Sequence, residues 1–487
     1  MGKNAIISVF DKTNLDLIAN FLIKKKFTIY STGGTSQYLK GINIPHIEIS
    51  KYTKQKEILD GRVKTLHPKI FGGLLGTKSR NHLKEQKSQG IVIFDILVIN
   101  LYPFEETVKR TKNKSKIMEM IDIGGHSLIR AAVKNYNHTI PITKPSDYKN
   151  FIKTYPLKQT QRKIFAKKAI QQVANYDNAI FNWFDGNTKD EYELRYGENP
   201  HQNARALVNN DKFAQLSGDK KLSYNNLLDL DAAVKIAYGV NTKNNICAII
   251  KHNTPCGAAI EKKQTQCYEK ALAGDPLSAF GGIVSFNKKV NKKTAKLLKK
   301  NFYEVISAPS YEKEALDILK TKKNLRVIKV KKINQKFEKR SFFGGTLIQD
   351  TNNKKTSIEN INGINKLNLE KINFFVNVLK NIKSNAIALF DENSLISQSG
   401  GQTSRVDALQ NCLYKFNLRH KFRKIKKAYL FSDAFFPFVD SLSIIKKQKI
   451  KIETYAPMGS KNDPDIRRDI KKHKLNFFKL SERHFKH

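Results

Sequence analysis

Short runs of β-forming residues alternate with helix-patterned stretches through the first hundred residues, and each run ends in a polar or glycine-rich loop. Residues 5–10 (AIISVF) read as a strand, 14–25 as a helix, 28–31 (TIYS) as a second strand and 93–100 (IFDILVIN) as a buried parallel strand. Strands that alternate with helices predict an α/β architecture. Ligands of such sheets bind beside the carboxyl ends of the strands, so the loops SVFDKT, STGGT and NLYPF are the expected site.

The chain has 487 residues, and a single core stops growing at about 250–300. Two or three domains are therefore expected. Around 185 to 195 the sequence turns polar (FDGNTKDEYELR), which places a junction there and divides the chain into 1–187 and 188–487. Beyond it, ICAIIK (246–251), GGIVSFN (281–287), FFGGTLIQ (342–349), AIALF (386–390) and KAYLFSDAFFPF (427–438) read as further strands of α/β type. The Lys-rich patches at 288–300 and 320–336 read as solvated helix faces and loops.

A net charge of +45 first suggests a polyanion partner. Only 15 of the 88 basic residues are Arg, the side chain that reads phosphates and bases bidentately, and the Lys residues are spread along the whole chain. A Lys- and Asn-heavy composition biased on solvated faces, as an AT-rich genome imposes, is favoured over nucleic-acid binding, and such a surface can still attract anionic substrates. Cys247, Cys256, Cys267 and Cys412 contain no CxxC pair and are too scattered for a disulfide framework, which points to a reducing compartment, the cytoplasm. No run of about 18 apolar residues suggests a membrane span, and the first residues have no apolar stretch of signal-peptide length.

Four motifs fall within the first 187 residues. STGGT offers backbone N–H groups at a helix start, a ready anion site. GRVKTLHP (61–68) adds the fixed charges of Arg62 and Lys64 and the hydroxyl of Thr65. NLYPF and IDIGGHSLIRAAVKN contribute Asn100, Tyr102, Asp122, the pair Gly124–Gly125, and Lys134. In this order they resemble the IMP cyclohydrolase domain of the bifunctional purine-synthesis enzymes, whose Rossmann-type fold is similar to methylglyoxal synthase. The resemblance implies that Ser8, Lys12, Thr32, Gly34, Thr35, Arg62, Lys64, Thr65, Asn100, Gly124 and Gly125 hold the nucleotide. Lys64, Tyr102, Asp122 and Lys134 would serve ring closure, with Asp122 handling the proton and Lys64 and Tyr102 the developing oxyanion. Phe10 departs from the pattern, since the family commonly has Ser there.

The remainder carries LRYGENPHQ (194–202), LSYNNLLDLDAA, KHNTPCG (251–257), DPLSAFGG (275–282), IKSNAIAL (382–389), SGGQTSRVDAL (399–409) and SDAFFPF (432–438). The Lys251–His252 pair follows an apolar strand, ahead of an expected Pro-Cys-Gly turn. As a set these resemble the aminoimidazole carboxamide ribonucleotide (AICAR) transformylase domain, two halves with a fold similar to cytidine deaminase. By that resemblance Lys251, His252 and Asn385 are catalytic. His252 takes the proton from the substrate amine, while Lys251 and Asn385 hold the formyl oxygen. Arg195, Tyr196, Asp275, Phe435 and Arg483 would bind substrate, with the C-terminus ordered into the site. Phe436, Pro437 and Asp440 would bind folate. Val439 replaces an Arg common in the family. The implied co-substrate is 10-formyltetrahydrofolate and no metal is required. The implied ligands are AICAR and its formylated product FAICAR, and the implied assembly is a homodimer. A zinc deaminase, suggested by the Pro-Cys, needs HxE and PCxxC, but His252 is followed by Asn253 and Thr254, and Cys256 has no partner three residues on.

Overall fold

In the computed structural model, residues 3–185, 190–208, 212–331, 335–419 and 425–487 are described. The chain divides into two compact units, Met1–Thr188 and Lys189–His487. The expected junction at 187/188 itself lies outside the described residues.

The first unit is built on five strands, β1 (Lys3–Ser8), β2 (Phe27–Ser31), β3 (Ile47–Glu48), β4 (Ile96–Ile99) and β5 (Ile140–Ile142), in the order β3-β2-β1-β4-β5. Every neighbouring pair is parallel. Parallel strands covered on both faces read as continuous apolar runs, and Ile96–Ile99 is buried at all four positions. The helix Leu15–Lys24 follows β1 and buries Leu15, Ile18, Ala19 and Leu22, the i, i+3, i+4, i+7 stripe of an amphipathic helix. Residues 93–95, expected within a strand, form a loop in which the Asp95 carboxylate accepts the Asn4 amide at 3.1 Å. The strand order reverses between β1 and β4, so their carboxyl ends open the crevice in which doubly wound sheets bind ligands.

The second unit opens with a ribbon of β6 (Asp190–Glu193) and β7 (Arg205–Val208). Two six-stranded sheets follow. One contains β8 (Phe213–Ser217), β9 (Asn245–Lys251), β10 (Thr254–Glu261), β11 (Ile283–Phe286), β12 (Val305–Ala308) and β13 (Arg326–Val330), in the order β10-β9-β11-β12-β13-β8. After a hairpin of β14 (Phe337–Phe342) and β15 (Gly345–Asp350), the other contains β16 (Ile358–Asn362), β17 (Ile387–Phe390), β18 (Leu395–Ser399), β19 (Lys427–Ser432), β20 (Lys451–Ala456) and β21 (Asn476–Leu480), in the order β16-β21-β20-β19-β17-β18. Counted by chain order within each sheet, both read third-second-fourth-fifth-sixth-first. The pairings agree as well: the fourth to sixth strands are parallel, and the first, second and third pair antiparallel. The unit is one layout used twice.

One core joins both copies. It combines Leu230, Ala233 and Ile236 of the helix Tyr224–Tyr238 with Ile372, Phe375 and Leu379 of the helix Leu369–Leu379 and apolar residues of both sheets. Asn377 donates to the Ile236 carbonyl at 2.9 Å across that helix pair.

Three expectations need correction. FFGGTLIQ belongs to the β14–β15 hairpin, whose Phe342, Phe343, Leu347 and Ile348 are exposed, because no third layer covers the ribbon. FFPF is a loop after β19, as Pro437 lacks the N–H a central strand needs. The patch at 320–336 contains β13, where Arg326, Val327, Ile328 and Val330 are buried and Lys329 alone faces out; residues 332–334 lie outside the described residues. The patch at 288–300 does form a helix, Lys292–Lys299, with its lysines exposed.

Candidate functional sites

At the carboxyl ends of β1, β2 and β4, buried polar side chains staple the loops together. The Thr35 hydroxyl bonds both the Val9 amide (3.0 Å) and the Val9 carbonyl (2.9 Å). Asn100 accepts the amides of Phe10 and Asp11 at 2.6 and 2.9 Å and donates to the Asp11 carbonyl at 2.9 Å. Ser8 and Thr32 share a 2.9 Å hydroxyl contact. Lys12 reaches back to the Phe10 carbonyl at 3.3 Å. Gly33 adopts φ +30°, a region open to glycine, and starts the helix Gly33–Gly41. A cavity of about 270 Å³ at this helix start is lined by Thr32, Gly33, Ser36, Glu48, Lys56 and Glu57, among others. A side chain at Gly34 would meet open space.

The GRVKT loop turns back through Leu59 and Asp60, both at positive φ, and closes with a bridge between Ile58 and Val63. It delivers Thr65 to the start of the helix Gly124–Lys134 so closely that a Cβ on Gly124 would lie 2.8 Å from the Thr65 hydroxyl. Asp122 accepts the Gly125 amide at 2.6 Å, and its own amide donates to the Tyr176 hydroxyl at 2.8 Å. Burial pushes the Asp122 carboxyl above the ordinary carboxylate range, against the pull of the Gly125 amide, the Lys64 charge and the Tyr102 backbone. Lys64, Thr65, Tyr102, Asp122, Gly124 and Gly125 thus converge. Arg62 is ion-paired with Glu119 on the surface. Lys134 closes the helix that Gly124 opens, about 15 Å away at 1.5 Å per residue. It is exposed there and complements the helix's negative end, so the structure does not bring it to this cluster.

In the second unit Lys251 ends β9, and its ammonium donates to the Phe280 carbonyl of the DPLSAFGG loop at 2.5 Å. His252 and Asn253 form the turn between β9 and β10. Pro255, Cys256 and Gly257 are part of the edge strand β10 instead of forming the expected turn, at a position where a proline costs the sheet no hydrogen bond. Cys256 is a thiol pushed up to about 12, chiefly by burial.

Asn385 precedes β17 with its amide fully engaged. Its Oδ1 accepts from Arg405 at 2.8 Å, and its Nδ2 donates to the carbonyls of Gln402 (3.0 Å) and Thr403 (3.2 Å). Arg405 is ion-paired with the fully buried Asp433, which also takes the Ser384 hydroxyl at 2.6 Å. The C-terminal tail closes over this point: Lys486 exchanges bonds with Ser384 (2.8 and 3.1 Å), and the His484 amide donates to the Asp433 carbonyl at 3.0 Å. Arg483, in the same tail, stacks on Phe485. Among the described residues no hydrogen bond links Lys251 or His252 to Asn385.

The other expected residues divide. Arg195 lies over the Tyr196 ring at 4.5 Å and bonds its hydroxyl, both near the surface. Asp275 is taken up internally, accepting the Ser278 amide and pairing with Arg419 at 2.7 Å, because it caps a short helix. Phe436 is 2% exposed and packs on Phe477, so its ring belongs to the core and not to a ligand pocket. Phe435 and Pro437 are half-buried, Asp440 begins the helix Asp440–Lys446, and Phe438, unremarked in the sequence, is the open ring of the loop. Arg405, Asp433 and Asp229 were also missed, although each stands in one of the motifs quoted. A larger cleft of about 410 Å³, lined by Gln266, Glu269, Lys270, Ala273, Asp391 and Ser394, holds none of the motif residues, so polar convergence and not cavity size marks the sites.

Each α/β unit carries polar and ionisable side chains of the kinds used for proton transfer and oxyanion stabilisation, the arrangement expected of a two-activity enzyme. The model of the AICARFT/IMPCHase bienzyme family matches residues 132–415, and that of the MGS-like domain residues 14–127. The bifunctional purine biosynthesis protein PurH of Fusobacterium nucleatum is 39% identical, and those of Persephonella marina and Clostridium acetobutylicum are 38% identical, each over 100% of both chains. A solved structure described as a crystal structure of ForH is 26% identical over 38% of this chain and 100% of its own, with a TM-score of 0.35, too loose a likeness to bear on the fold. The chain belongs to the AICARFT/IMPCHase bienzyme family.

Proposed function

We infer that this chain catalyses the last two steps of IMP synthesis: formyl transfer from 10-formyltetrahydrofolate to AICAR, then dehydrative closure of FAICAR to IMP. The observation that carries this reading is the full-length likeness to bifunctional relatives, with both sets of reacting groups present in this chain.

Ring closure requires the carboxamide nitrogen to lose a proton as it attacks the formyl carbon. Asp122, a carboxylate made more basic by burial, takes that proton, while Lys64 and Tyr102 stabilise the formyl oxygen before water leaves. The helix start at Gly124 and the hydroxyls of Thr32, Thr35 and Thr65 orient the nucleotide. In the transfer, His252 removes a proton from the substrate amine as it attacks the formyl carbon. Lys251 and Asn385 hold the formyl oxygen, and the folate nitrogen leaves with a proton. For Asn385 to donate, its Nδ2 exchanges one of the two backbone carbonyls it now contacts, while Arg405 keeps Oδ1 in place. The FFPF loop supplies Phe435 as a flat face for substrate or folate.

The test measures tetrahydrofolate release with AICAR as substrate and, separately, IMP formation from supplied FAICAR. His252→Ala is expected to abolish the first and Lys64→Ala to leave FAICAR accumulating. Loss of both activities in either variant, with the fold retained, would contradict the assignment of two separate sites. A homodimer is favoured by the β14–β15 ribbon, which bares Phe342, Phe343, Leu347 and Ile348 and has no covering layer. The cytoplasm is favoured by four free cysteines.

A further inference from the structure

The turn that carries His252 is held in an unfavourable backbone state. Lys251 and Thr254 face each other across the β9–β10 hairpin, leaving His252 and Asn253 as a two-residue loop at φ +54° and +57°. Two consecutive positive φ values are the type I′ pattern, which favours Asn-Gly and costs a residue such as His free energy. Strained backbone of this kind persists only where its surroundings over-determine it.

Here the Thr254 hydroxyl donates to the His252 carbonyl at 3.3 Å, and both amides of the turn are taken by one carboxylate. Asp229 Oδ2 accepts the His252 amide at 3.2 Å, and Asp229 Oδ1 accepts the Asn253 amide at 2.5 Å. Asp229 comes from the helix Tyr224–Tyr238, whose start is locked by a reciprocal Ser223–Asn226 box (3.1 and 3.2 Å). Asn226 in turn accepts from the buried Arg326 at 2.8 Å. The ionisable groups facing Asp229 are Lys251 and His252. The corresponding loop of the other sheet, between β17 and β18, is served by a carboxylate from within itself: Asp391 accepts the amides of Asn393 and Ser394 at 2.8 and 2.6 Å. Of these two loops, the one bearing His252 has both amides tied to a helix.

We propose that Asp229 is a positioning residue of the transformylase site, fixing the His252 imidazole by holding both amides of its turn. This rests on His252 being the base of formyl transfer. Without the carboxylate the turn relaxes towards negative φ, and the imidazole swings with it.

The experiment uses the full chain and compares Asp229→Ala, Asp229→Asn, the double variant Asp229→Ala/Asn253→Gly, and His252→Ala, measuring formyl transfer and FAICAR cyclisation on each preparation. Displacing a reacting group by an ångström or so costs up to about 100-fold in rate, so Asp229→Ala is expected to lower the transfer kcat about 10- to 100-fold with little change in KM. Cyclisation should be retained. Asp229→Asn keeps the volume and one acceptor, and falls between. Glycine at position 253 stabilises the type I′ turn without help, so the double variant should recover at least half of the logarithmic loss. An unchanged kcat in Asp229→Ala, or a loss that Asn253→Gly does not restore, overturns the proposal. Full transfer activity in His252→Ala would instead overturn the reading on which it rests.

Discussion

Phe10 and Tyr102 meet edge to face, with ring centroids 5.7 Å apart and planes at 71°. Phe10 is 48% exposed at the mouth of the β1–β4 crevice, so its ring acts as a wall beside the Tyr102 hydroxyl instead of filling a core. Aromatic pairs contribute about 0.5–1.5 kcal/mol beyond their buried area. If that energy orients Tyr102, Phe10→Ser should lower the cyclisation kcat about 2- to 12-fold, while formyl transfer stays unchanged. Steady-state cyclisation of FAICAR by the variant measures it.

Asp122 is half-buried, desolvation raises its pKa, and the sign of its effect on stability follows. A carboxyl whose folded pKa lies above its unfolded value favours the fold most below the unfolded pKa, and that benefit disappears as pH rises through the folded value. At neutral pH the buried charge therefore opposes folding. Asp122→Asn, which retains an oxygen for the Gly125 amide, should abolish cyclisation and raise the melting temperature of the first unit. A gain of about 1 kcal/mol corresponds to about 2–4 °C for a unit of this size. Calorimetry of the variant beside the parent chain at pH 7 reads it.

The tail gives the opposite pH sense. His484 is 2% exposed between Thr356 and Asn352, and burial first, then the Lys380 charge, lowers its pKa from 6.5. Glu482 and Asp433 oppose the shift. A histidine with a depressed folded pKa contributes fully above its unfolded value, and that contribution is lost as pH falls below about 6.5. Relative to the intrinsic exchange rate at each pH, amide protection in residues 481–487 should fall below that pH more than protection in β19–β21, and His484→Phe should remove the difference.

The ribbon of β14 and β15 yields a prediction about assembly. Phe343 is fully exposed and Ile348 is 61% exposed. If the proposed homodimer pairs through this ribbon, replacing both by Ser should convert a sedimenting dimer to a monomer at micromolar concentration. Retention of the dimer would place the interface elsewhere.

Periodicity located three of the five strands of the first sheet, β1, β2 and β4, because buried parallel strands leave uninterrupted apolar runs such as Ile96–Ile99; the two- and three-residue strands β3 and β5 are too short to leave such a signal. It failed at FFGGTLIQ, where the same composition forms an open hairpin, since composition does not say what covers a strand. Motif resemblance pointed to the side chains proposed to react but not to those that hold them. Asp229 acts through two backbone amides twenty-odd residues away, and Arg405 through the side chain of Asn385; such partnerships exist only once helices and strands have been brought together. The assignments of Phe436 and Asp275 were misleading for a related reason. In a loop of adjacent aromatics, only packing decides which ring turns inward, and a carboxylate that caps a helix looks the same in sequence as one awaiting a ligand.

The doubled six-strand layout of the second unit has a consequence for how that unit comes apart. Since Ile236, Phe375, Phe390 and Phe431 share one cluster, neither copy owns a complete interior. The two copies should therefore melt together, and a cavity opened in the shared cluster from the second copy, far along the chain from His252, should loosen the first copy as well. Expressed as separate fragments, they would be inert alone and regain activity only on recombination.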